Sequence, residues 1–169
     1  NFVALMPLIE PNDEVICVLP NYMQIHGLAK ALGANIKTIN TNESTNWKLN
    51  IQDLEYSVTE KTKLITICNP NNPTGSILDK QSINEIGAVA EKAGAWILAD
   101  EVYRGSELDG QECESFWNLS YDRKIINCGL SKAYGLPGLR VGWTVSNEEF
   151  IKNCWANHDY TSIAIGRLS

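Results

Sequence analysis

Lys132 and Arg140 carry the most distinctive chemistry in this sequence, and the segment between them is rich in glycine and proline. A lysine that tight turns hold after an apolar run can react with a carbonyl group through its amine. The planar guanidinium of an arginine suits a phosphate, because it donates paired hydrogen bonds. The pair therefore indicates a ligand with both an aldehyde and a phosphate, which is the chemistry of pyridoxal 5'-phosphate (PLP).

Other polar residues follow apolar runs that read as strands. In open α/β sheets, ligands bind outside the carboxyl ends of the strands, so these side chains are expected to converge on one rim. The candidates are Tyr22 after residues 15–19, Asn72 after residues 64–68, Asp100 and Tyr103 after residues 96–99, and Lys132 after residues 125–128.

Each of these side chains could meet a chemical need of PLP. Asp100 can pair with the pyridinium nitrogen and keep it protonated, so that the ring remains an electron sink. Asn72 and Tyr103 can hydrogen-bond the phenolic oxygen, while Tyr22 can stack on the ring face. Lys132 can form an imine with the aldehyde and then move protons as general base and acid.

The elements that must position these residues alternate between strand-like runs and helical patterns. This alternation predicts an α/β fold with a mostly parallel sheet and helices on both faces. Residues 129–140 are too few and too rich in glycine and proline for a crossover helix, so the strand that follows is expected to be antiparallel. The predicted strands are 15–19, 35–39, 64–68, 96–99, 125–128 and 141–145, and the predicted helices are 23–32, 51–58, 80–93 and one that starts after Asn147.

Helix 80–93 has the clearest boundaries, because Asp79 can cap its start and Gly94 can end it. Residues 40–46 are polar and are expected to form an exposed loop.

Composition excludes several function classes. The 169 residues are 44% hydrophobic and 20% charged, which is typical of a soluble globular domain. A net charge of -6 argues against nucleic acid and anionic membranes as partners. Five cysteines, without a Cys-x-x-Cys pattern, indicate a reduced, cytoplasmic protein. The two histidines lie far apart in the sequence, so no metal site is expected.

Three motifs in order resemble the class I/II aminotransferases, the PLP-dependent fold type I family. They are NPNNPTG at residues 69–75, DEVY at residues 100–103 and SKAYGLPGLRVGW at residues 131–143. The family often has a serine that contacts the phosphate where this chain has Gly129, so one phosphate contact is expected to be missing. By resemblance, Lys132 forms the aldimine, Asp100 pairs with the ring nitrogen, Asn72 and Tyr103 bind the phenolic oxygen, Arg140 binds the phosphate and Tyr22 stacks on the ring.

The resemblance also implies a domain organisation. Residues 1–169 would be the PLP-binding large domain, and the family's N-terminal phosphate-loop segment and C-terminal small domain would lie outside this sequence. An isolated chain of this extent is expected to be a poor catalyst. The family further implies a homodimer, with residues 158–169 near the partner's site.

The activity that the resemblance implies is the transfer of an amino group from an amino acid to a 2-oxo acid. Other fold type I reactions, such as those of a β-lyase or a cyclising synthase, use the same core and stay open. A non-catalytic sensor domain of a transcription regulator is a third reading, which a helix-turn-helix segment upstream would favour.

Overall fold

Six strands form one sheet in the computed structural model, which describes residues 1–167. The strands are β1 Glu14–Leu19, β2 Asn35–Asn40, β3 Thr62–Cys68, β4 Trp96–Asp100, β5 Lys124–Gly129 and β6 Gly142–Val145. Their order across the sheet is β2-β1-β3-β4-β5-β6. The α-helices in this part of the chain are α1 Phe2–Leu5, α2 Met23–Ala31, α3 Ile51–Ser57, α4 Lys80–Ala93 and α5 Glu148–His158.

All neighbouring strands are parallel except β5 and β6, which are antiparallel. The predicted α/β fold with one antiparallel strand is therefore confirmed. The short segment between β5 and β6 allows this reversal, because Leu130 N donates to Val141 O at 3.0 Å. A parallel return would need a crossover of a dozen or more residues.

Two hydrophobic cores lie on opposite faces of the sheet, because successive side chains of a strand point to opposite faces. In β4, Ile97 packs with Leu54 of α3 and Ile86 of α4. The next residue, Leu98, packs on the other face in the core that includes Leu5 of α1. That second core also contains residues of α2 and α5, so helices cover both faces as predicted.

The ends of the elements follow local chemistry and differ slightly from the predicted bounds. Asp79 caps α4, since its Oδ1 accepts from Ser82 N at 2.7 Å, and Gly94 ends α4 in the left-handed conformation at φ 67°. Helix α3 ends one residue early because Val58 is extended. The predicted loop 40–46 is more ordered than expected, with Asn40 in β2 and a 3₁₀ turn at Glu43–Thr45.

We expect Leu98→Ala to lower the free energy of unfolding by about 2–5 kcal/mol, because it leaves a cavity beneath the sheet. Leu108→Ala is the matched control, since Leu108 is fully exposed whereas Leu98 is fully buried. The control is expected to change stability by less than about 0.5 kcal/mol. Urea unfolding of the two variants measures both values, and equal losses would contradict the assignment of Leu98 to the core.

Candidate active site

The site lies where β3, β4 and β5 end, on one rim of the sheet. Because these strands are parallel, their carboxyl ends lie side by side, with Cys68 paired to Asp100 and Asp100 paired to Asn127. The loop 69–75 follows β3, and the segment with Lys132 follows β5. The strand pairing thus positions most of the residues that the sequence analysis selected.

Three predicted residues come together in the structure. Asn72 Nδ2 donates to Tyr103 Oη at 2.9 Å. Lys132 Nζ lies 5.5 Å from the centroid of the Tyr103 ring, within the range of a cation–π contact. An amine, a phenol and an amide are therefore neighbours on the rim where these strands end.

Lys132 is held in a tight connection between the two strands. Gly135 N donates to Lys132 O at 2.9 Å, and Leu136 N donates to Leu130 O at 2.9 Å. Gly135 has φ 64°, the left-handed region in which glycine is unstrained. These turns fix the backbone of Lys132 while its side chain stays exposed.

Asp100 is the buried carboxylate of the rim, with 6% of its surface exposed. Its Oδ2 accepts from Asn1 Nδ2 at 3.1 Å, and its Oδ1 accepts from Val102 N at 3.3 Å. A buried carboxylate needs donors or a cation, because removal from water disfavours its charge. Asp100 is therefore suited to a cationic group of a ligand.

Loop 69–75 owes its shape to two asparagines that sequence reasoning did not select. Asn69 is buried, and its Oδ1 accepts from Leu78 N at 2.9 Å. Asn71 Nδ2 donates to Thr74 Oγ1 at 2.8 Å and to Pro20 O at 3.1 Å. These amides fold the loop and connect it to the segment before Tyr22. Their role is structural, and it leaves Asn72 to face Tyr103.

Arg140 adopts a left-handed backbone conformation, with φ 57° and ψ 32°. Its Nη1 donates to Pro137 O at 2.8 Å and to Ser131 Oγ at 3.3 Å. The guanidinium therefore lies beside the residue that precedes Lys132. Within residues 1–167, Arg140 makes no hydrogen bond to Asn72, Asp100 or Tyr103.

Tyr22 stands apart from the cluster, at the N-cap of α2 with 58% of its surface exposed. Its backbone N donates to Asn21 Oδ1 at 2.7 Å. The Tyr22 ring is therefore outside the hydrophobic cores and is largely exposed to solvent. Its stacking on a ligand stays a prediction.

At Gly129, where the family often has a serine, the neighbouring strand β6 lies close to the backbone of β5. A Cβ at Gly129 would lie 3.2 Å from Val141 O, which is tighter than ordinary contact. A Cβ at its strand partner Gly142 would lie 3.0 Å from Cys128 O. The two glycines therefore permit the close antiparallel pairing that follows the site.

Glu101 is a further buried carboxylate that the sequence analysis passed over. Its Oε1 accepts from Phe116 N at 2.7 Å, and its Oε2 accepts from Ser115 Oγ at 2.8 Å. Burial raises the pKa of Glu101. Through these bonds, the side chain anchors the 3₁₀ turn at Phe116–Asn118.

In residues 1–167, no group of three or more His, Cys, Asp or Glu side chains could hold a metal ion. None of the helices in the same range is long and apolar enough to span a membrane. All five cysteines are free, and burial is the main reason why the pKa of Cys68 rises to about 12.

The model of the family described as aminotransferase class I and II matches residues 1–158. This chain belongs to that family. The match includes all six residues that the sequence analysis selected, and the resemblance stated there is confirmed.

Several aminotransferases are similar to this chain. A histidinol-phosphate aminotransferase of Methanococcus maripaludis is 36% identical over 145 residues, which are 85% of this chain and 38% of that protein. The tyrosine aminotransferase of Homo sapiens is 32% identical over 147 residues, which are 86% of this chain and 32% of that protein. This chain therefore spans less than half the length of these relatives.

A solved structure of a PLP-dependent aminotransferase from Streptococcus suis shares the fold with a TM-score of 0.92. It is 36% identical, and the match covers 99% of this chain and 44% of that one.

The side chains at the rim fit PLP chemically, because they comprise an amine, a buried carboxylate, an amide–phenol pair and a guanidinium. Lys132, Asp100, Asn72, Tyr103 and Arg140 could supply these groups.

We expect Glu101→Gln to change how stability depends on pH. Because burial raises the pKa of Glu101, the folded state holds its proton more tightly than the unfolded state does. That contribution is present at low pH and is lost as pH rises through the folded-state pKa. Wild type should therefore lose stability relative to Glu101→Gln as pH rises above about 4, the ordinary pKa of a glutamate, and through the raised pKa of Glu101.

Urea midpoints of both proteins across this range provide the measurement. A stability difference that stays constant, or that grows in favour of wild type as pH rises, would contradict the pKa direction.

Arg140→Gly and Arg140→Ala both remove the guanidinium, but only glycine accepts the left-handed backbone without strain. We expect the glycine variant to be more stable than the alanine variant by about 1 kcal/mol. Thermal unfolding of the pair measures the difference. Equal stability would show that the backbone of Arg140 is not strained.

Both variants lack the guanidinium. We therefore also expect both to bind inorganic phosphate or PLP more weakly than wild type does.

Proposed function

We propose that the full-length protein is an aminotransferase that moves an amino group from an amino acid to a 2-oxo acid, with PLP bound at the rim described above. Membership of the family and the names of the relatives support transaminase activity. The proposal concerns the full-length protein, because this chain spans 38% of the first relative's length.

The cluster of Asn72, Tyr103 and Lys132 carries the proposal. Asn72 donates to the Tyr103 hydroxyl, which leaves the phenolic proton of Tyr103 free to donate to a ligand. The second amide proton of Asn72 is available as well. Two donors beside an amine suit a ligand in which a phenolic oxygen neighbours an aldehyde, and PLP has that arrangement.

PLP, when bound, supplies an aldehyde that takes up the amino group and a ring that withdraws electrons from the substrate's α-carbon. The Lys132 amine would hold the cofactor covalently and, once substrate displaces it, would accept and return the α-proton. The Lys132 side chain is exposed, while turns fix its backbone. Both roles are therefore open to this side chain.

The remaining residues would bind and orient the cofactor. The buried Asp100 carboxylate would keep the ring nitrogen protonated, because a buried carboxylate is costly without a cationic partner. Arg140 would bind the phosphate through its guanidinium. Tyr22 would cover one ring face with its exposed side chain.

The wider setting of the site is also a proposal. Residues 1–169 would be the PLP-binding large domain of a cytoplasmic homodimer. Exposed apolar side chains near the C-terminal end, Trp155, Tyr160 and Ile163, support a contact with another chain. Residues 158–169 would approach the partner's site, although Leu168 and Ser169 lie outside the described residues.

The relatives are named for different substrates, histidinol phosphate and tyrosine, at similar identities of 36% and 32%. A screen of amino acids as donors is therefore part of the test.

The proposal predicts a half-reaction in the PLP-loaded, full-length protein. Addition of a suitable amino acid, without an acceptor, should release about one equivalent of 2-oxo acid per site and convert the cofactor to its amine form. Lys132→Ala should slow this step by roughly a hundredfold or more, because the proton carrier is lost. Absorbance and 2-oxo acid assays follow the reaction.

Lys92→Ala is the matched control, since Lys92 is exposed on α4. It should leave the rate unchanged. Continuous release of ammonia without an acceptor would instead indicate lyase chemistry. PLP binding without turnover of any donor would favour a sensor domain, and a Lys132→Ala variant with full activity would contradict the role of Lys132.

A further inference from the structure

A row of polar side chains crosses the sheet beside the candidate site. Asp100 of β4 pairs in register with Asn127 of β5, and Asn127 pairs with Thr144 of β6. In β4 and β5, the residues two positions earlier, Leu98 and Ile125, belong to the same core. Because side chains alternate along a strand, Asp100 and Asn127 lie on that same face.

These residues form a continuous chain of hydrogen bonds that Asn1 completes. Thr144 Oγ1 donates to Asn127 Oδ1 at 2.7 Å. Asn127 Nδ2 donates to Asn1 Oδ1 at 2.5 Å, and Asn1 Nδ2 donates to Asp100 Oδ2 at 3.1 Å. Asn1 lies at the N-cap of α1 but makes no side-chain cap bond, so its amide is directed to this chain instead.

The chain has one direction, which the carboxylate determines. An ionised carboxylate only accepts hydrogen bonds, so Asn1 must present its NH₂ group to Asp100. The oxygen of Asn1 then faces Asn127, which must also present its NH₂ group. A second acceptor, Gln24 Oε1 at 3.0 Å from Asn1 Nδ2, favours the same orientation of Asn1.

Asn127 and Asn1 each use both ends of the amide in side-chain bonds. Asn127 is buried, so a reversed or broken chain would leave polar atoms without partners away from water. The network therefore holds the Asp100 carboxylate in place. Pairing of the strands alone would not require a chain of side-chain hydrogen bonds that ends at the Asp100 carboxylate.

We propose that Asn1, Asn127 and Thr144 are positioning residues that hold the Asp100 carboxylate in place as the acceptor for the ring nitrogen of PLP. The inference rests on the proposed function, since it needs a ring nitrogen at Asp100. None of the three is assigned contact with the cofactor. Their effect would pass through the Asp100 carboxylate alone.

The test compares two ligands that differ only at the ring nitrogen. Pyridoxamine 5'-phosphate binds without a covalent bond to lysine, and its 1-deaza analogue has carbon in place of the ring nitrogen. Titration calorimetry on the full-length protein gives an affinity for each ligand. The ratio of the two affinities isolates the bond to Asp100 and is insensitive to the fraction of folded protein.

Thr144→Val removes the hydroxyl at the far end of the chain with little change in shape. We expect it to weaken binding of pyridoxamine 5'-phosphate by roughly two- to tenfold, the value of one hydrogen bond, and to leave binding of the deaza analogue unchanged. Thr144→Ser should restore the ratio. Asn127→Asp should lower the ratio further, because a carboxylate cannot donate to Asn1 and adds charge near Asp100.

Ser146→Ala is the matched control. The Ser146 hydroxyl donates to Lys124 O at 2.6 Å, so this variant loses a bond between neighbouring segments without touching the chain to Asp100. It should leave the ratio of affinities as in wild type. Equal weakening of both ligands by Thr144→Val, or no weakening, would overturn the proposal.

Asp100→Asn distinguishes this proposal from the one on which it rests. If Asp100→Asn abolishes the preference for the ring nitrogen while Thr144→Val and Asn127→Asp retain it, the positioning role alone is wrong. If the wild-type protein binds neither ligand, or shows no preference that depends on Asp100, the proposed cofactor site is wrong and the positioning role falls with it.

Discussion

The in-register pairing of β3, β4 and β5 is the constraint on which the site depends. The register of these parallel strands brings Cys68, Asp100 and Asn127 into one row. The loops that leave this row have little choice of direction, because cores on both faces bury the strands beneath them. Asn72, Tyr103 and Lys132 meet for that reason, although the first and the last are 60 positions apart in the sequence.

The antiparallel strand β6 adds a second constraint. Gly129 and Gly142 face each other in its pairing with β5, and a Cβ at either position would lie 3.2 Å or less from the opposite backbone. The connection between the strands is consequently short and folded on itself. It holds Lys132 in a turn and places Arg140 beside Ser131 in a left-handed conformation. A strained arginine near a lysine whose backbone is held in a turn is typical of a functional site. The two side chains suit a ligand that carries both a phosphate and an aldehyde.

Much of the fold could be predicted from the sequence, because the strands are apolar runs and the helices have clear periods and caps. Asp79 and Gly94, for example, bound α4 through local bonds that a sequence shows directly. Sequence reasoning also selected the Asn72, Tyr103 and Lys132 cluster, since each residue follows a strand end. Its boundaries were less secure where a backbone conformation decides them, as at Val58.

The network at Asp100 could not be predicted, because it depends on register between distant strands. Asn1 and Asn127 are 126 positions apart, and nothing local indicates that their amides meet. One signal was present: Asn127 interrupts an apolar strand, where an asparagine needs a partner. Glu101 gave a similar signal next to Asp100, but the structure assigns it to the turn at Phe116–Asn118.

We infer that Lys132 is the lysine that binds PLP. Borohydride reduction of the full-length protein with bound PLP, followed by peptide mass mapping, tests this inference. We expect one adduct, on Lys132, and a yellow protein before reduction. Adducts scattered over surface lysines, or a single adduct on a different lysine, would contradict it.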